Sequence, residues 1–117
     1  MRKLLIETIE SLINYITIFN QNLSTIISEH RDGNEEYVIK LMPQVLEGIQ
    51  WILDAIQCLQ QHGYLRKIDI SNITNHLLNI EHLMIIKDYY LIVDMFEFEI
   101  TPIFESWILL LKELNID

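Results

Sequence analysis

The stretch Leu5–Ile27, LIETIESLINYITIFNQNLSTII, decides the fold. Leu5, Ile9, Leu12, Ile16, Phe19, Leu23 and Ile26 recur at steps of four and three without a miss, which is the period of a packed helix and not of a strand. Ile6, Ile13 and Ile27 add a flanking row, interrupted at Asn20, and widen the apolar stripe enough to face two neighbours. Glu7, Asn14, Gln21 and Ser28 gather on the opposite, wet side. The pattern predicts one helix over residues 3–30. Arg31-Asp32-Gly33-Asn34 stops it, with Gly33 able to take the left-handed conformation.

The same reading extends outward. Val38, Met42, Val45, Ile49, Ile52, Ile56 and Leu59 form the seam of a second helix over 35–62, with Asn34 as its N-cap and Gly63 at its end. Pro43 shares a row with Gln50 and Gln57, so its ring should face solvent and bend the helix around the core. After a connector, Asp69 or Ser71 caps a shorter helix over 71–87 with seam Ile73, Leu77, Ile80 and Met84. Asp88 then caps a last helix over 89–114, on Tyr89, Val93, Phe96, Ile100, Ile103, Trp107, Leu110 and Leu114, whose spacing runs through Pro102. Residues 71–114 could also form one kinked helix. The expected fold is all-α: a single domain over 1–117, an antiparallel up-down four-helix bundle with proline-bent second and fourth helices.

Composition removes several functions. Half of the 117 residues are apolar, with three Gly, two Pro and one Cys, so the chain is too hydrophobic for disorder and large enough to bury a core. The lone Cys58 can build neither a disulfide framework nor a thiolate zinc site. Eight Lys and Arg against seventeen Asp and Glu give −9, the wrong sign for nucleic acid. The longest uncharged stretch, Ser11–Ser28, carries several Asn, Gln, Ser and Thr and would span a bilayer poorly. Glu7 and Glu10 interrupt any signal-peptide core. The expected setting is the cytoplasm, with no membrane and no cofactor.

Catalytic motifs are missing. No Glu has a His three residues later, so the di-metal carboxylate site of ferritin-like bundles cannot form. Gly33, Gly48 and Gly63 are isolated and cannot cradle a phosphate. Glu47 and Asp54 with Asp94, Glu97 and Glu105 could imitate the magnesium sites of all-helical nucleotide pyrophosphohydrolases. They lack that family's paired acids and any adjacent cation, and read better as a solvated face. Glu97 stands apart, because its row contains Tyr90, Phe104 and Leu111. A carboxylate bordering the seam needs a donor, from a Tyr, a His or a helix N-terminus, or it pays for desolvation.

Two features point to protein binding. The last helix is apolar on most faces, which calls for a central position or a partner. Tyr37, Trp51 and Cys58 share one row on the flank of the second helix, where aromatics serve as interface anchors or meet a third core neighbour. Most cations fall near helix ends, and the waists carry Glu10, Glu47, Asp54, Glu97, Glu99 and Glu105, an acidic belt that could orient a basic partner.

The segments Asp88–Pro102 (DYYLIVDMFEFEITP), with Trp107 after it, and Val45–Trp51 (VLEGIQW) resemble small uncharacterised helical-bundle proteins of low-GC Gram-positive bacteria. That family has no assigned activity, so the resemblance supplies no site residues. In length, charge and exposed apolar surface the chain is also similar to flagellar export chaperones, and in acidity to antitoxins and immunity proteins, without their local motifs. The reading is a non-catalytic interaction module, adaptor- or chaperone-like and an expected homodimer, binding through Tyr37, Trp51, Asp94, Glu97, Phe98 and Trp107. Its rivals are the magnesium-dependent hydrolase and an acidic antitoxin or immunity-type inhibitor.

Overall fold

The computed structural model describes residues 2–114; Met1 and 115–117 of the expected domain lie outside them. Among the described residues the chain is helical, with no strand. Its elements are α1 (Arg2–Arg31), α2 (Glu35–Gln61), α3 (Ser71–Ile85), α4 (Tyr89–Met95), a π turn (Phe96–Ile100) and α5 (Thr101–Lys112). Met95, Phe96, Ile100 and Thr101 all keep helical φ and ψ, so α4, the π turn and α5 form one continuous fourth helix. Residues 71–114 are therefore two helices, parted at Ile86–Asp88, and the third stops two residues earlier than its pattern predicts.

The seams of α1 and α2 are buried as their spacing requires, except that Leu5 is half-buried. Pro43 is exposed, and Val38, Met42, Val45 and Ile49 stay buried on both sides of it. In α3, Leu83 is buried and Met84 only partly.

Pro102 behaves differently from the expectation. A proline has no N–H for the carbonyl four residues back and its ring crowds that carbonyl. Here the preceding turn widens, and the Thr101 N–H bonds the Phe96 carbonyl five residues back. A π turn inserts one residue into the helical repeat, so the seam slips by one. Phe96, Ile100, Phe104, Trp107 and Leu111 fill the core, while Ile103 and Leu110 are only half-buried.

Three helices end in the same way. At α1, Gly33 N–H bonds His30 O (3.0 Å) and Asn34 N–H bonds Glu29 O (2.9 Å). At α2, Gly63 bonds Gln60 (3.0 Å) and Tyr64 bonds Leu59 (3.0 Å); at α3, Lys87 bonds Met84 (3.2 Å) and Asp88 bonds Leu83 (2.9 Å). These are Schellman closures around a left-handed residue, Gly33 at φ 84°, Gly63 at φ 90° and Lys87 at φ 60°. Asp88 caps α4 by accepting from Leu91 N–H at 3.2 Å. Asn34 occupies the N-cap of α2 without a side-chain cap bond; its amide donates to Glu29 Oε2 at 2.9 Å.

The connector before α3 is tied down by Gln60, whose amide donates to Leu65 O (3.0 Å) and Ile68 O (2.7 Å), so that Leu65 and Ile68 reach the core. Just before α3, Asp69 Oδ1 accepts from the Ser71 hydroxyl (2.6 Å) and backbone N–H (3.0 Å). Those bonds, the hydroxyl first, hold the Asp69 carboxyl below its ordinary range. A depressed carboxyl stabilises the fold above its unfolded-state pKa, and that support is lost as pH falls through the folded value.

Across helices, Tyr15 lies on Trp51 with ring centroids 4.3 Å apart and Phe19 lies beside Gly48. Phe19 meets Phe104 edge-on at 5.5 Å, Asn20 reaches Thr101, and Arg31 reaches Glu97. Residue numbers fall in one partner as they rise in the other, so the fourth helix runs antiparallel to α1. The described residues span 49 × 23 × 20 Å. The long dimension is close to that of α1, and the short ones hold about two helix diameters.

Gly48 marks a close crossing of α1 and α2, because a Cβ there would sit 2.7 Å from Phe19 Cε2. Alanine gains about 1 kcal/mol in helix propensity, but overpacking costs roughly 1–3 kcal/mol. We expect Gly48→Ala to lose about 1 kcal/mol net in urea unfolding. Lys87→Gly, which relieves a left-handed non-glycine residue, should gain about 0.5–1 kcal/mol in the same assay.

Candidate functional site

The π turn presents a short stretch of sequence in an unusual way. Glu97 turns toward α1, where the Arg31 guanidinium bonds both its carboxylate oxygens. Glu99 turns toward α3, where its carboxylate lies 3.8 Å from His76 Nε2. Phe98 stands between them and is 66% exposed. The donor that Glu97 requires is thus neither a Tyr, a His nor a helix N-terminus, but the last residue of α1, where a cation also complements the helix dipole.

Around Phe98 the outward side of the fourth helix carries Tyr90, Leu91 and Leu109, all exposed, with Asp94, Pro102 and Glu105 between them. From Asp88 to Leu111 the chain has Asp88, Asp94, Glu97, Glu99 and Glu105 and no Lys, Arg or His. Trp107 faces the other way. It is 4% exposed and packs on Phe104 at 5.1 Å, as its place in the predicted seam requires; it belongs to the support of this surface and not to the surface itself.

The other aromatic pair belongs to a second place. Tyr37 is half-buried and lines a groove of about 580 Å³ between α1 and α2, together with Tyr15, Ile18, Leu41 and Gln44. Trp51 is 48% exposed and covers Tyr15. Cys58 is exposed further along α2. The six candidate residues are therefore divided: Asp94, Glu97 and Phe98 on one surface, Tyr37 and Trp51 at another, and Trp107 inside.

The acids of the hydrolase reading are not assembled. Glu47 and Asp54 are exposed on α2, where Asp54 accepts from Gln50 at 3.0 Å, and Glu97 is engaged by Arg31. Among the described residues no three His, Cys, Asp or Glu side chains stand close enough to hold a metal ion.

Some participants are not evident in the pattern. Asn20, the one break in the flanking row of α1, donates to Thr101 O at 3.4 Å at the end of the π turn. Its Oδ1 and the Thr101 hydroxyl are buried beside that bond with no protein partner among the described residues. The polar break was visible in the sequence; its link to residue 101 was not. His76 carries no signal that would join it to Glu99.

Fold and surface together describe a small all-helical protein with an acidic, apolar-centred lip and a separate neutral groove. The chain belongs to the family of the domain of unknown function DUF8042, whose model matches residues 7–109. No curated protein and no solved structure matches it. Among the described residues, no helix is long and apolar enough to cross a membrane.

The two tryptophans should respond differently to truncation. Trp107→Ala empties a core site and should cost about 3–5 kcal/mol, whereas Trp51→Ala should cost less than about half of that, since half of the side chain already meets water. Thermal unfolding followed by circular dichroism separates the two.

Proposed function

We propose that the chain is a non-catalytic protein-interaction module, adaptor- or chaperone-like, whose main docking surface is the outward side of the fourth helix. The observation that carries this reading is Phe98, raised on a π turn and exposed in a segment of five acids without a cation. An exposed aromatic anchor with surrounding carboxylates suits an amphipathic segment that brings apolar side chains to Phe98, Leu91 and Leu109 and basic ones to Asp94, Glu99 and Glu105. Glu97, already paired with Arg31, sets the rigidity of the lip. Tyr37 and Trp51, on the second-helix flank, form a second and separate binding surface.

The scaffold we infer is an up-down-up-down bundle with bends at Pro43 and Pro102. The antiparallel pairing of the long helices and a cross-section of two helix diameters each way support it. A cytoplasmic homodimer is the form in which we expect it to act. The acidic inhibitor reading would use the same carboxylates against a basic active site, and no feature favours it over a docking lip.

Affinity capture of the full chain from cell lysate, with mass spectrometry at low and high salt, tests the surface. Phe98→Asp should reduce the retained partner at least about tenfold, the loss of a hot-spot side chain, and high salt should weaken capture by screening the acids. Glu97→Gln should leave capture within about threefold. The hydrolase alternative requires the reverse: magnesium binding, and turnover abolished by Glu97→Gln.

A further inference from the structure

The geometry points to the α1–α2 groove as a two-fold interface that takes a second copy of this chain, through an antiparallel contact between the two α1 helices centred on Ile18. This deepens the self-association part of the proposed function and leaves the fourth-helix surface free, so either can fail alone.

The first observation is charge. The chain carries −9, yet Ser11–Ser28 contains no Asp, Glu, Lys, Arg or His, and every residue lining the groove is uncharged. Glu36, Lys40 and Glu47, the charges that flank these groove residues along α2, are exposed and do not line it. Two copies of an acidic chain repel wherever their carboxylates meet. A long neutral face is where they can approach without that cost.

The second observation is symmetry. An antiparallel helix pair on a two-fold axis must be complementary to itself, so residue i of one copy faces residue j of the other and j faces i. Two pairs of polar groove residues on α1 are placed symmetrically about Ile18. Asn14 and Asn22 stand four residues to either side, and Ser11 and Thr25 seven to either side. With Ile18 on the axis, Asn14 faces Asn22 of the other copy, Ser11 faces Thr25, and Ile18 packs on itself. Tyr15 and Gln21, three to either side, add a phenol–amide pair. Amides and hydroxyls each offer a donor and an acceptor, so every one of these pairs can be satisfied in both directions. A foreign segment imposes no such mirror relation on the groove.

The third is area. Ile18 is 47% exposed and Tyr15 37%, with Asn14, Gln21, Asn22 and Thr25 exposed beside them. Eighteen residues at about 1.5 Å each give a face about 27 Å long, and two helices make it about 20 Å wide. Its grooved surface exceeds the flat footprint of roughly 540 Å² and approaches the lower range of stable interfaces, about 600 Å² per partner. The dimer should therefore dissociate in the micromolar range.

Sedimentation velocity and light scattering of the full chain over that range read the state directly. We expect twice the 14.0 kDa chain mass at high concentration. Ile18→Glu places two carboxylates on the axis and should weaken the dimer at least about 100-fold, with helix content unchanged by circular dichroism. Asn14→Lys combined with Asn22→Glu in one chain should keep the dimer, now salt-sensitive, because only the antiparallel arrangement pairs each Lys with a Glu. Ile18→Cys in a Cys58→Ser background should oxidise to a self-linked dimer, which holds the proposal to account even if Ile18→Glu fails to fold. A chain monomeric at every concentration, or a dimer indifferent to Ile18→Glu, overturns it, and a different molecule found in the groove does the same. Phe98→Asp should leave the dimer intact, so loss of the fourth-helix partner is read separately.

Discussion

Phe19 is held from two sides, and the rest of the molecule follows from how. On one side α2 approaches through Gly48, which has no side chain to keep the ring away. On the other, Phe104 meets the ring edge-on and is itself backed by Trp107. Edge-to-face contact between such rings adds to the burial of their area. The triple contact sets the spacing of α1 against both of its long neighbours. It also demands that Phe104, and not Ile103, point inward.

That demand explains the π turn. Phe96 and Phe104 are both fully buried and lie eight positions apart in the chain. A regular α-helix at 3.6 residues per turn would rotate them well away from each other; one inserted residue brings them back to the same side. The carbonyl freed by Pro102 makes the widened turn less costly there than elsewhere. In turn, the bulge directs Glu97 and Glu99 to opposite neighbours, Arg31 of α1 and His76 of α3, and leaves Phe98 with none. An exposed phenylalanine is thus a consequence of core packing on the far side of the same helix.

This is also where the sequence ceases to be legible. The seams of α1 and α2 can be read almost residue by residue because only one register is apolar. A slip of one residue after Pro43 would bury Gln50, Gln57 and Gln60, so the seam stays in place there. After Pro102 the alternatives are Ile103 with Leu110 or Phe104 with Leu111. Both are apolar, and periodicity cannot choose between them. The choice is made by Phe19 and Gly48, some eighty and fifty residues away. Trp107 stands in the seam in either register, so its burial is legible and its use as a binding residue conflicts with its own row; Arg31 is missed as the partner of Glu97 because that pairing depends on tertiary contact. The end of α3 is subtler, since a left-handed Lys87 closes it where the other two helices use glycine.

The distribution of charge then acquires a physical logic. A chain with this much exposed isoleucine, leucine and aromatic surface must prevent indiscriminate association, and −9 of net charge does so at long range. It does so unevenly. The fourth helix keeps its acids around its apolar residues, which rejects another acidic surface and admits a basic one. The middle of α1 has no charge of either sign, and its polar groups are amides and hydroxyls that complement copies of themselves. Surfaces of the first kind distinguish a partner from the chain itself; surfaces of the second kind do not oppose the chain meeting itself. Because Phe98 faces outward on the fourth helix while the groove lies between α1 and α2, occupying one need not obstruct the other, while any change that loosens Phe19, which meets both Phe104 and Gly48, should disturb both.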